Sequence, residues 1–173
     1  MINMKFAQKV CRDTSGAVAV EFALWSVLFF LVVLVSLDFG AYLLQAGRIA
    51  SASEQTAIVA YNRRDDGAVN PASLEQFMAA AARVPGGAVR TKVTCNGSTG
   101  ACNAVPTARQ CACVSGTTPT YKTSSACGDI CPSGATSGYY VTLESEYDFE
   151  PFVGANRLLA GKVIHQSVTV RFQ

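Results

Sequence analysis

Two sets of side chains in this sequence could do chemistry: a single carboxylate, Glu21, set in a long apolar run, and seven cysteines, six of which crowd into residues 95–131. A charged acid deep in hydrocarbon costs about 2.5–3.5 kcal/mol on insertion scales, less near the headgroups, so an acid in such a run is read as a site with a partner. The second reading of Glu21 is an interfacial acid near one end of the run that snorkels to water. Cys95, Cys102, Cys111, Cys113, Cys127 and Cys131 form an even set, whereas Cys11 stands apart near the N-terminus. Three disulfides are possible, and spacing alone does not choose their pairing. Disulfides form in periplasm and extracellular space, and here they would staple a segment too polar and glycine-rich to bury a core of its own. A zinc site is the alternative, with thiolates from Cys111-Ala-Cys113 and Cys127-Gly-Asp-Ile-Cys131. Those spacings differ from the common zinc knuckles, and neither is the Cys-x-x-Cys of a thiol oxidoreductase, so no metal and no cofactor is expected.

The element that must position Glu21 is the run Ala17–Leu37, AVAVEFALWSVLFFLVVLVSL, which ends at Asp38. About 20 apolar residues in a helix, rising 1.5 Å each, cover the roughly 30 Å hydrocarbon core, so residues 17–37 predict one transmembrane helix. Lys5, Lys9 and Arg12 precede it against Asp13 alone, while the next 20 residues offer only Arg48 against Asp38 and Glu54. The positive-inside rule then keeps the N-terminus cytoplasmic and exports the remainder. A cleaved secretory signal fits less well: the apolar run is longer than a signal core, it contains Glu21, and the Ala50-Ser51-Ala52 triplet lies far downstream.

The short basic leader, Gly16, then Ala17-Val-Ala-Val-Glu21-Phe22-Ala-Leu and an uninterrupted apolar helix resemble the processing segment of type IV pilin-like proteins, in the Flp or tight-adherence branch. Leu37-Asp38-Phe39-Gly40 and the small-residue stretch with Gln45, Arg48 and Ala50 resemble the TadE-like pseudopilins. The resemblance implies a prepilin peptidase cutting between Gly16 and Ala17, with Glu21 and Phe22 at the fifth and sixth mature positions as the processing and assembly motif. It implies as partners that peptidase, other pilins or pseudopilins, and an inner-membrane assembly platform. Physical chemistry is compatible with such a cut, because glycine has no Cβ and resists helix formation, leaving a narrow peptide at the membrane face. Gly16 as an ordinary break before a membrane helix is the plainer reading. A freed Ala17 amine could pair with the Glu21 of a neighbouring subunit and lower the cost of both charges.

Composition bounds the rest. The 173 residues allow the membrane helix plus one modest domain, with a net charge of +2. Loss of residues 1–16 removes three bases and one acid and leaves 11 of each, a balance that gives no footing for nucleic acid. Phosphate-binding glycine loops and aromatic–basic patches are likewise missing. The sole histidine, His165, falls in no Cys/His or Ser/His constellation, so no enzyme activity is expected.

Past the membrane, Tyr42, Ala46, Ile49, Ala50, Ser53, Ala57 and Ala60 recur at helical spacing and predict an exported continuation over 38–64, breaking near Asp65-Asp66-Gly67. Asn70 and Pro71 mark the start of a short helix whose apolar face is Leu74, Phe77, Met78 and Ala81, closed by Pro85-Gly86-Gly87. Three stretches then alternate with period two, Val89–Val93, Tyr139–Tyr147 and Ile164–Phe172, with Arg90 and Lys92 placed to meet Glu144 and Glu146 if the first two pair. The Cys-rich insertion 95–138 lies between the first two, and Asp148–Gly161, with Phe152, Leu158 and Leu159, between the last two. The expected fold is α+β. It comprises a leader (1–16), a transmembrane helix (17–37), its continuation (38–64), and an exported domain (65–173) with one short helix and a small antiparallel sheet of three or four strands. The expected role is that of a pseudopilin held in the inner membrane or carried into an extracellular pilus, with membrane lipid around its helix. The different-class alternative is a membrane-tethered periplasmic thiol-redox or zinc protein.

Overall fold

A single α-helix, α1, runs unbroken from Thr14 to Asn62 and carries both the apolar run and one layer of the domain core. At 1.5 Å per residue it is about 74 Å long. The computed structural model describes residues 14–116, 120–124, 126–152 and 159–173; most of the leader, with Lys5, Lys9, Cys11, Arg12 and Asp13, and also Leu158, lie outside the described residues. In the apolar part the two hydroxyls are satisfied within the helix, Ser26 Oγ donating to Phe22 O and Ser36 Oγ to Val32 O, both at 2.8 Å. These hydroxyls need no partner from outside the helix, as a lipid environment demands. None of the most apolar window of α1 is buried by the rest of the protein.

Beyond Asp38 the helix changes character. Ile49, Ala52, Ser53, Thr56, Ala57 and Ala60 turn one buried stripe toward the rest of the chain. The helix ends at Asn62, slightly before the break expected at Asp65–Gly67. A second helix, α2 (Pro71–Ala82), starts as the sequence predicts: Asn70 Oδ1 accepts from Ser73 N at 3.2 Å, and Pro71 occupies the first turn, where a missing N–H costs nothing. Its buried stripe is Leu74, Met78 and Ala82, at a strict four-residue spacing. Phe77, expected on that face, is 41% exposed, because it lies a quarter-turn round from Met78.

Five strands follow: β1 (Arg90–Cys95), β2 (Ala112–Ser115), β3 (Thr120–Thr123), β4 (Tyr140–Asp148) and β5 (Val163–Arg171). The main sheet has the order β1-β4-β5, antiparallel throughout, and β2 with β3 makes a separate hairpin in the insertion. Register brings Val93 opposite Leu143 and Leu143 opposite Val168, so one face is apolar and lies against α1 and α2. At its centre Ser145, on the inward side between Leu143 and Tyr147, shares a 3.0 Å hydrogen bond with Ser53 of α1. A buried hydroxyl pair left half-satisfied would cost about 1–3 kcal/mol, so this contact fixes how the helix sits on the sheet. On the other face Arg90 hydrogen-bonds Asp148 and lies 3.4 Å from Glu146, whereas Lys92 stands in register with Glu144. The Arg90 hydrogen bond holds the Asp148 carboxyl below the usual carboxylate range.

The core has two ends. Ile49, Ala52, Tyr147, Phe149, Leu159 and Ile164 form the end nearer the apolar run, where the Tyr42 and Phe149 rings meet edge to face at 5.3 Å. Val93, Val141, Leu143, Met78, Tyr139 and Phe172 form the far end, which also takes in Cys95, Cys102 and Cys111. The insertion is therefore part of the core rather than a loop outside it. Its disulfides are Cys95–Cys102, Cys111–Cys127 and Cys113–Cys131.

These bridges close loops of sequence separation 7, 16 and 18. In the chain-entropy picture each such closure contributes about 2–3 kcal/mol. Attack by a thiol depends on access to sulfur. Cys95 and Cys102 are fully buried, while Cys127 is exposed. Graded reduction with mass mapping should open Cys111–Cys127 first and Cys95–Cys102 last, with new protease cuts confined at first to residues 95–138. Early loss of Cys95–Cys102, or early cutting within β4 or β5, would contradict this layout.

Candidate functional site

The residues singled out for processing and assembly lie on the first two turns of α1. Gly16, Ala17, Glu21 and Phe22 are all exposed, and nothing lies within 4 Å of where a Cβ on Gly16 would sit. Gly16 lies within the helix rather than at a break before it. Glycine costs about 1 kcal/mol relative to alanine in a helix, so the segment around Gly16 unwinds more cheaply than its neighbours. Ala17 and Glu21 are four residues apart, hence on one face and about 6 Å apart along the axis. Phe22 points to a different side and is 73% exposed. This part of α1 thus presents an acid and an aromatic that are exposed among the described residues.

Asp38, at the other end of the apolar run, was expected only to close it. It is completely buried, and its Oδ1 accepts a 2.8 Å hydrogen bond from the backbone N of Phe152. The carboxylate thus ties α1 to the chain that leaves β4. The signal available in the sequence was the position itself, an acid directly after 21 apolar residues, but its partner lies 114 residues away.

At the far end of the domain the insertion is tied down by side chains as well as sulfur. Asn96 donates to Gln110 O at 2.7 Å and accepts from Tyr140 N at 2.9 Å, and Tyr139 Oη donates to Ala101 O at 2.9 Å. Tyr121 of β3 reaches over the outer face of the sheet to share a 3.0 Å hydrogen bond with Thr142, which it helps to bury. Arg109 is buried with its guanidinium 5.0 Å from the Tyr139 ring centre and 5.4 Å from that of Phe172, and it donates to Gly67 O at 2.9 Å. Burial raises the Tyr139 phenol above its ordinary value, and the Arg109 charge opposes that shift. Arg109 is a residue that spacing could not have found, since its partners come from three separate segments.

All six cysteines of the insertion are spent in disulfides, which removes the thiolates a zinc site would use. No group of three or more potential metal-ligating side chains occurs among the described residues. His165 is exposed on β5, in register with Glu146.

Comparison with curated proteins and with solved structures gave no match. A protein-family comparison matched residues 16–57 to TadE-like proteins. The matched segment opens at Gly16, contains Glu21, Phe22 and Asp38, and runs through the buried stripe as far as Ala57. Over residues 16–57, within the helix that carries both the apolar run and one layer of the core, this chain is similar to TadE-like proteins.

Proposed function

We propose that this protein is a minor pseudopilin of an Flp, or tight-adherence, pilus, a structural subunit without catalytic activity. The observation that carries the reading is the coincidence of the TadE-like match with a helix that runs through Gly16 and presents Glu21 and Phe22 exposed. In this account the helix is anchored in the inner membrane through residues 17–37, with its N-terminus cytoplasmic and the disulfide-stapled domain outside. A prepilin peptidase removes residues 1–16 by cutting after Gly16. The mature subunit then joins other pilins or pseudopilins at an assembly platform and helps to start or shape a fibre used in surface attachment.

The physical roles follow from position. Glycine has no Cβ and resists helix formation, so the peptidase can draw the Gly16–Ala17 bond into an extended form at lower cost than a bond between other residues of α1. Cleavage leaves a cationic amine at Ala17, one helical turn from Glu21. The apolar surface of residues 18–37 gives neighbouring helices a surface to pack on, and a Glu21 carboxylate facing a neighbour's amine makes lateral packing tolerable for both charges. Periplasmic oxidation would set the three disulfides of the domain.

Two outcomes test the reading. Gly16→Arg places a long charged side chain at the cut, and full-length precursor should accumulate on immunoblots of membranes; normal maturation of that variant would sink the assigned site. Glu21→Ala removes the roughly 2.5–3.5 kcal/mol insertion penalty, so the protein should reach the membrane at least as well as wild type while piliation is lost. Normal piliation in cells carrying only Glu21→Ala would remove Glu21 from assembly.

A further inference from the structure

We propose that Phe152 is a second membrane contact, an aromatic wedge from the exported domain that enters the headgroup layer beside α1. The inference rests on the membrane-spanning reading of residues 17–37 and adds to it a lipid-binding residue 115 positions further along the chain than Leu37.

The height of Phe152 is set by Asp38. Residues 17–37 span about 30 Å of helix, the thickness of the hydrocarbon core, which leaves Asp38 at its boundary, at the base of the headgroup layer. Because Asp38 Oδ1 accepts from the backbone N of Phe152, that residue is held at the same height. Three residues earlier Phe149 is buried against Tyr42, only 2% exposed, whereas the Phe152 side chain is 82% exposed. A phenyl ring turned out of a core at the end of a domain that faces hydrocarbon is the kind of apolar side chain that interfacial segments bury at the headgroup–acyl boundary.

The surface next to it is of the same kind. Phe152 forms one wall of an open groove with Leu34, Leu37, Gly40, Ala41 and Leu44 of α1, and Ser36 supplies the one side-chain hydroxyl. That hydroxyl is already donated to Val32 O, so the groove presents almost no polar group in need of a partner. Leu34 and Leu37 belong to the apolar run itself. The groove therefore continues the lipid-facing surface of the helix up to the domain, and acyl chain and glycerol backbone are the occupants that its chemistry and its height select. With α1 as one support and Phe152 as another, the domain would be held at a fixed tilt on the bilayer.

The test uses full-length protein in phosphatidylcholine–phosphatidylglycerol vesicles. Trp25, the only tryptophan, lies in the apolar run and reports on the anchor. Phe152→Trp and, as a comparator, Ile130→Trp are each made in a Trp25→Phe background; Ile130 is 80% exposed and lies in the insertion at the opposite end of the domain. Tryptophan at 152 should emit at shorter wavelength than tryptophan at 130, be shielded from iodide, and be quenched by lipids brominated near the top of the acyl chain. Quenching of Trp25 by brominated lipids without quenching at 152 overturns the wedge and leaves the anchor standing. No quenching of Trp25 overturns the anchor itself. Shielding at 152 that disappears when protein is diluted into excess lipid assigns the groove to a second copy of the chain and also overturns the lipid assignment.

Discussion

The rest of this molecule depends on the continuity of α1. One helix supplies the apolar run and, without a break, the layer on which the sheet is laid. The helix has no break between the two parts, so a rotation or tilt of the apolar part is passed on to the domain. The Ser53–Ser145 contact and the Ile49, Ala57 and Ala60 stripe fix the sheet on one side of that axis. Asp38 fixes the chain leaving β4 at the level where the apolar run ends. A helix unbroken between the apolar run and the domain is a useful property where the packing of helices must set the position of what they carry.

The two ends of the domain are stabilised differently. Near the apolar run the core is aromatic and aliphatic, from Tyr42, Phe149, Tyr147 and Ile164. At the far end, where the insertion covers the sheet, sulfur joins the apolar side chains: Cys95, Cys102 and Cys111 are core residues as well as covalent links. A chain this short, with much of its apolar composition committed to one exposed helix, has little left to bury, and cross-links compensate by restricting the unfolded state. The Arg109 guanidinium between Tyr139 and Phe172 adds a cation–π clamp in the same region.

Much of this was legible in the sequence because it is periodic. The two helices, the three strands of the main sheet and the Asn70 cap follow from spacing and from backbone chemistry, and the even number of cysteines past the apolar run announced the disulfides. Phe77 was misplaced because a loose three-or-four spacing admits two neighbouring stripes on a short helix, and only packing against Ala57 and Val93 chooses the one through Leu74 and Met78. The disulfide pairing, the β2–β3 hairpin and the roles of Asp38, Ser145 and Arg109 were not legible, since each depends on a partner distant in the chain. Gly16 shows the converse: one reading of its type was a break, but it lies within α1.

The central claim is that the working form is an exported, membrane-anchored subunit without its leader and with every remaining cysteine bridged. The measurement that bears on it most directly is the intact mass of protein extracted from membranes of peptidase-competent cells, alkylated without reduction. The account predicts a single species beginning at Ala17, carrying no alkyl group because Cys11 has left with the leader, and six hydrogens lighter than the reduced chain 17–173. A species that begins at Met1, or one whose cysteines between residues 95 and 131 take up the alkylating reagent, would contradict it.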